Sequence, residues 1–225
     1  MKTINIAIDG PAGAGKSSLA KALAAKLSYT YIDTGALYRA VAYKALSLGI
    51  SVRDNESIIN MLEETDIYFK HINGVQRVFV DGEDVSGKIR TNEISSAAST
   101  VSAIPEVRTF LLGLQREIAS KENIVMDGRD IGTVVLPSAD IKIFLTASSE
   151  DRASRRYEEQ KNTASSVSYE EILSTMIQRD KNDSERSVAP LKPADDAVIL
   201  DNSGFEPQQT IDAALKIIEN KINVI

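Results

Sequence analysis

Residues Gly10 to Ser17 read G-P-A-G-A-G-K-S, which fits G-x-x-x-x-G-K-[ST]. In this pattern glycines let successive backbone N–H groups converge on phosphate oxygens with no Cβ in the way. Gly10, Pro11, Ala12, Gly13, Ala14, Gly15, Lys16, Ser17 and Ser18 then form a cradle for a nucleoside triphosphate. Lys16 would reach the β- and γ-phosphates, and the Ser17 hydroxyl would ligate Mg²⁺. The apolar run Ile4–Ile8 precedes the motif and a helical pattern begins at Lys16, so the context is strand, loop, helix. The helix start adds its own partial positive charge. The competing reading is a glycine-rich turn that holds nothing.

A cradle identifies a nucleotide site and not a reaction, so the other cations matter. Asp33-Thr34-Gly35-Ala36-Leu37-Tyr38-Arg39 joins a short strand to a helix. Thr34 could cap that helix or bond an acceptor, and Arg39 stands one turn in, within reach of a phosphate at the helix mouth. Ile124-Val125-Met126 runs into Asp127-Gly128-Arg129-Asp130. Ligands of open α/β sheets collect at such strand ends. Asp127 could hold Mg²⁺ directly or through water and Arg129 a phosphate, or the segment could close as an Asp–Arg ion pair. Arg152, Arg155 and Arg156 follow at i, i+3 and i+4 on a predicted helix, Arg152 and Arg156 on one face. They are either a lid that carries guanidiniums to a transferring phosphoryl group or a salt-bridged solvated face. Arg179, Asp183 and Arg186 form a charged stripe if their helix continues, and the same two alternatives apply.

These residues must be positioned by a framework. Short apolar runs at Ile4–Ile8, Ile124–Met126, Ile141–Leu145 and Ala197–Leu200, with Tyr31–Ile32, read as buried strands. Helical patterns lie at Lys16–Leu27, Ala36–Leu48, Pro105–Ser120, Glu150 to about Gln160, Tyr169–Lys181 and Pro207–Lys221. Ser168 with Glu171, and Ser148 with Asp151, have capping-box spacing. The alternation predicts an α/β fold with a parallel sheet. One segment departs from it. Asp66–Ile72 and Val75–Val80 flank Asn73-Gly74, a hairpin signal, and a third short strand is expected near Glu83–Val85. Residues 66 to about 90 therefore read as a small antiparallel insert.

The 225 residues carry a net charge of −6, which argues against nucleic acid or an anionic membrane as the main partner. No apolar run approaches the length of a membrane span, no signal peptide is legible, and there is no cysteine, so a cytoplasmic protein is expected. The guanine-reading tetrapeptide Asn-Lys-x-Asp and the transporter signature L-S-G-G-Q are absent. Asp201-Asn202-Ser203-Gly204 matches D-x-x-G but lies too far along the chain for a switch.

In sequence the chain resembles the bacterial cytidylate kinases over essentially its whole length. The resemblance rests on I-D-G-P-A-G-A-G-K-S, D-T-G-A-L-Y-R, V-D-G-E-D-V-S-G-K-I-R, M-D-G-R-D-I-G-T-V-V-L-P, R-A-S-R-R, R-D-x-x-D-x-x-R at 179–186, and A-P-L-x-P-A-D-D-A, in that order. It implies a P-loop fold with a five-stranded parallel sheet flanked by helices, a monophosphate-binding arm carrying the antiparallel β insert, and a helical lid. In these terms the single kinase domain has a core of 1–33, 122–148 and 187–225, a monophosphate-binding region of 34–121 and a lid at about 149–168, followed by helix 169–186. The implied reaction is γ-phosphoryl transfer from ATP, with Mg²⁺, to CMP or dCMP. The resemblance places Thr34 and Arg39 in the monophosphate site, Ser99 on the cytosine, and Arg108 and Arg129 on the acceptor phosphate. Asp130 and Arg186 would read the base, and Arg179 and Asp183 would touch the ribose. Lys16, Arg129 and the lid arginines would carry the catalysis. Ser18 stands where relatives often have Thr, and the hydroxyl is kept. A monomer acting on small molecules is expected. Two alternatives stay open: a kinase for UMP, AMP or a small hydroxy acid, and a binding module that hydrolyses ATP slowly to change shape.

Overall fold

The computed structural model describes residues 3–72, 75–160 and 167–222. The predicted Asn73-Gly74 turn and most of the lid flank, 161–166, lie outside them. The chain forms two compact units, Met1–Tyr31 with Glu122–Ile225, and Ile32–Lys121.

The first unit is built on a five-stranded parallel sheet. Its strands are β1 (Asn5–Asp9), β2 (Thr30–Asp33), β6 (Ile124–Asp127), β7 (Ile141–Thr146) and β8 (Val198–Asp201), in the order β2-β6-β1-β7-β8. The last two residues of β2 open the second unit. The register pairs Ile6 with Val125 on one side of β1 and with Ile141 on the other. Central parallel strands are covered on both faces, which is why they are short apolar runs and not alternating ones. Helices α1 (Lys16–Leu27) and α8 (Pro207–Ile222) pack Leu19, Leu23, Ala214 and Ile218 against Ile6, Ile8, Val125, Ile143 and Leu145. Helix α6 (Ser149–Gln160) and helix α7 (Tyr169–Glu185) meet through Ala153, Ile172 and Met176. The α7 start is a complete capping box: the Ser168 hydroxyl accepts from Glu171 N–H while the Glu171 carboxylate accepts from Ser168 N–H. At α6 the Ser148 hydroxyl accepts from Asp151 N–H, and the Asp151 carboxylate instead accepts from Gly204 N–H.

The second unit gathers α2 (Thr34–Ser47), α3 (Asn55–Glu63), α4 (Asn92–Val101) and α5 (Pro105–Lys121) around Leu37, Val41, Ile58, Val101, Val107 and Leu111. Its antiparallel sheet has the order β3 (Ile67–Ile72), β4 (Val75–Val80), β5 (Glu83–Asp84), as the insert reading expects. Val78 and Val80 face the core, and Tyr68 stacks on Phe79 outside it. Helices α3 and α4 were not predicted. Both start at side-chain caps, with Asp54 accepting from Ser57 N–H and Thr91 from Ile94 N–H.

Candidate active site

The Gly10–Ser17 loop leaves the C-terminal end of β1, the central strand. A Cβ on Gly10 would lie 1.9 Å from the Leu145 carbonyl oxygen, so only glycine lets the loop root touch β7. Gly15, at φ 88°, turns the backbone into α1 in a conformation other residues rarely adopt. Lys16 is buried, and its Nζ donates to the Pro11 carbonyl at 2.6 Å. Burial lowers its proton affinity well below the ordinary lysine range. The Arg129 charge lowers it further, Asp127 opposes this, and Arg179 and Asp9 act more weakly in opposite senses. Ser17 donates its hydroxyl to Asp127 Oδ2 at 2.8 Å, and the Tyr31 hydroxyl donates to Oδ1 at 2.9 Å. The structure thus joins Ser17 and Asp127, as a shared Mg²⁺ site would need. Ser18 is exposed beside them.

The strand end at β6 reaches the end of α7. Arg129 Nε donates to Asp183 Oδ2 at 2.9 Å, and Arg186 Nη2 lies 3.7 Å from Asp130 Oδ1. Two carboxylate–guanidinium pairs therefore link the Asp-Gly-Arg-Asp segment to the end of α7. The helix stops at Glu185, and Arg186 turns to extended backbone. The condition for one stripe, a helix running through Arg186, is not met: Arg179 and Asp183 keep helical spacing on α7, and Arg186 lies past its end. There Arg186 Nε donates to the Ala189 carbonyl.

The three α6 arginines separate. Arg152 is buried: it donates to the Ala147 carbonyl at 3.0 Å and to Ala12 in the loop at 2.8 Å, and pairs with Asp180 at 2.7 Å. Arg155 donates to the Asn202 carbonyl at 2.7 Å and to its side-chain oxygen at 3.3 Å. Arg156 is exposed and pairs with Glu159. Arg152 and Arg156 keep the expected i, i+4 placement on α6, but their side chains part. Arg152 turns inward, because the Ala12 and Ala147 carbonyls and Asp180 satisfy its guanidinium.

In the second unit Thr34 is buried but does not cap α2. Asp33 does so, accepting from Ala36 N–H at 3.0 Å. The same carboxylate accepts from Arg39 at 2.9 Å and lies 3.8 Å from Arg90. Ser99 is half-buried on α4. Arg108 on α5 is buried, donates to the Ser102 carbonyl at 3.1 Å and lies over the Tyr38 ring. Thr34, Arg39, Ser99 and Arg108 thus all belong to this unit, while the remaining candidates belong to the first.

Sequence reasoning missed two residues. Asn202 is buried and donates to the Ala14 carbonyl at 3.2 Å while accepting from Arg155, so it links the loop to α6. Asp9 is buried and accepts from two backbone amides beyond β6. A charged residue closing an apolar strand just before the cradle was the available signal for Asp9. Asn202 was noticed only as part of D-x-x-G.

A parallel sheet with such a loop on its central strand, and a hydroxyl–carboxylate pair beside it, defines the class of P-loop nucleotide-binding proteins. Among solved structures, a gluconokinase from Sinorhizobium meliloti 1021 matches at TM-score 0.50 and 16% identity, over 98% of this chain and 95% of that one. An uncharacterized protein from Eubacterium ventriosum ATCC 27560 matches at 0.55 and 14%, over 96% and 99%. At these identities the likeness concerns the fold alone. The family model described as Cytidylate kinase matches residues 6–220. Curated cytidylate kinases from Caldicellulosiruptor bescii and Bacillus subtilis (strain 168) are 49% and 47% identical. They align over 99% and 98% of this chain and 100% and 98% of their own lengths. One from Caldanaerobacter subterraneus subsp. tengcongensis is 51% identical over 96% of this chain and 95% of its own. The chain belongs to the cytidylate kinase family.

Proposed function

We propose that this chain transfers the γ-phosphoryl group of ATP to CMP or dCMP, giving ADP and CDP or dCDP. The observation that carries the reading is the family match over residues 6–220. The side chains support it: a switch needs one phosphate cradle, whereas this chain also holds Arg39, Arg108, Arg129 and Arg179 apart from that loop. We assign acceptor binding to the 34–121 region and a closing lid to 149–168, and take the chain to work as a monomer in the cytoplasm.

Phosphoryl transfer asks little covalent chemistry of the protein, which must align the groups and neutralise spreading charge. Lys16 and the backbone amides of 10–17 hold the donor phosphates. Arg39, Arg108 and Arg129 hold the acceptor phosphate, with Thr34 beside it. Arginine suits this because its fork stays charged and binds oxygens in pairs. Arg129 and Asp183 now satisfy each other, so an arriving phosphate takes a donor that is already oriented. Asp130 and Arg186, with Ser99, read the base, while Arg179 and Asp183 meet the ribose. Arg155 and Arg156 approach the donor phosphates as the lid closes, and Arg152 braces the cradle through Ala12. Closure excludes water, which would otherwise accept the phosphoryl group. The Ser17 hydroxyl and Asp127 carboxylate are an all-oxygen donor set 2.8 Å apart, which fits Mg²⁺. When bound, that ion neutralises charge on the phosphate oxygens.

A coupled ADP-release assay with ATP against CMP, dCMP, UMP, AMP and no acceptor tests the reading. ADP should form rapidly with CMP or dCMP and hardly at all without an acceptor. Equal release with and without acceptor would establish an ATPase instead.

A further inference from the structure

Asp9 ends β1 immediately before the cradle, and its carboxylate is buried. Oδ1 accepts from Ile131 N–H and Oδ2 from Gly132 N–H, each at 2.7 Å. These successive amides open the π-helical turn Ile131–Val135, which continues straight from Arg129 and Asp130. One carboxylate thus grips the segment whose two charged side chains reach Asp183 and Arg186. Asp9 is anchored on its own side as well, because its neighbour Gly10 lies against Leu145 with no room for a Cβ. No step of the phosphoryl transfer described above uses Asp9.

We propose that Asp9 is a positioning residue for acceptor recognition: by holding the amides of Ile131 and Gly132 it fixes Arg129 and Asp130 relative to the loop that begins at Gly10. The proposal rests on the reading that Arg129 and Asp130 meet the acceptor. A carboxylate suits the task because both its oxygens accept, so it can hold two amides at once and set the direction of the peptide between them. Burial pushes the Asp9 carboxyl up to about 6. The Gly132 and Ile131 amides oppose this, Asp130 adds to it and Lys16 subtracts. This is a costly group to keep, and among the described residues its carboxylate accepts from the turn amides Ile131 and Gly132.

Asp9→Asn keeps one acceptor and sets an N–H₂ against the other amide, so it breaks one of the two bonds and spares the volume. The measurements are kcat and KM for CMP and UMP, and ATP affinity by calorimetry without acceptor. Asp9→Asn should lower kcat/KM for CMP by about tenfold or more, mainly through KM, and shrink the CMP preference over UMP. ATP affinity should stay within about twofold. Unchanged use of CMP would overturn the proposal. So would a loss of ATP affinity as large as the loss of CMP use, which would make Asp9 a prop for the cradle. Gly132→Ala presses on the same contact from the other side, since its Cβ would lie 3.0 Å from Lys142 Cδ and 3.4 Å from Asp9 Oδ2. It should show the same split, and serves if Asp9→Asn does not fold. Failure of both to fold would leave Asp9 purely structural and overturn the proposal. Asp130→Ala is the separating arm. An intact CMP preference in that variant would remove base reading by Asp130, and the split between CMP use and ATP affinity would still judge Asp9.

Discussion

Lys16 is an ammonium kept in a buried setting beside two guanidinium charges, and its hold on a proton is weakened. A triphosphate placed against it reverses that balance, because negative charge favours the protonated form. ATP binding should therefore draw in protons, because burial and the Arg129 charge weaken the Lys16 hold on its proton before the triphosphate arrives. Calorimetric binding enthalpies in buffers of different ionisation enthalpy read this directly, and Lys16→Ala should abolish the buffer dependence. The same variant should stay folded and lose at least about a hundredfold in kcat. Asp9 titrates in the opposite sense. Its folded value of about 6 exceeds the ordinary 3.8, so its contribution to stability is complete below 3.8 and lost as pH rises through about 6. Between pH 5 and pH 7.5 the wild type should lose about 1.4 kcal/mol relative to Asp9→Asn in denaturant titrations. The sequence made the cradle legible because the motif is local. It left Asp9 and Asn202 unremarked because each works on backbone groups far along the chain, Ile131 and Ala14.

At the scale of elements, β1 and β6 were readable because burial on both faces makes them short apolar runs, and α1 was readable because the loop dictates its start. Helices α3 and α4 were not. Their sequences, N-E-S-I-I-N-M-L-E and N-E-I-S-S-A-A-S-T-V, are rich in Ser and Asn, which compete locally with helix formation. The packing of Ile58, Ile94 and Val101 into the second unit's core overrides that preference. Helix α6 shows a similar limit. Spacing says which arginines lie along one side, but not which carbonyls wait for them. Arg152 meets Ala12, Ala147 and Asp180, whereas Arg156 meets solvent and Glu159. Arg152→Ala should cost about 3 kcal/mol in stability, since it strands Asp180 and two carbonyls. Arg156→Ala should change stability by less than about 1 kcal/mol. At least one of Arg155→Ala and Arg156→Ala should lower kcat by about 10³ or more with acceptor KM little changed. If both keep full turnover, the outer part of α6 is a solvated face and the lid reading fails.

At the scale of the whole molecule, the proposed base reading assigns acceptor choice to Ser99, Asp130 and Arg186. Cytosine offers an exocyclic amino donor where uracil offers an oxygen, and an Asp130 carboxylate would face that oxygen with like polarity. A buried polar group left unpaired costs roughly 1–3 kcal/mol. CMP should thus exceed UMP by at least about tenfold in kcat/KM. Asp130→Ala and Ser99→Ala should narrow the gap, mostly by losing CMP activity. Equal use of CMP and UMP by the wild type would end the base-reading account and leave the kinase reading intact. The register of the parallel sheet also bears on how the chain is made. β1 pairs with Ile124–Asp127 and Ile141–Phe144, so as the chain is made β1 has no sheet neighbours until β6 has been synthesised. The apolar cluster of the second unit closes within Ala36–Leu111. At roughly 5–20 residues per second, that cluster is complete seconds before β1 meets its partners. The inserted unit should therefore fold first, while the cradle waits as unpaired chain. Nascent chains stalled with residue 121 just outside the exit tunnel should show protease protection over 32–121 and cleavage within 1–31. Chains stalled after residue 201 has emerged should be protected in both.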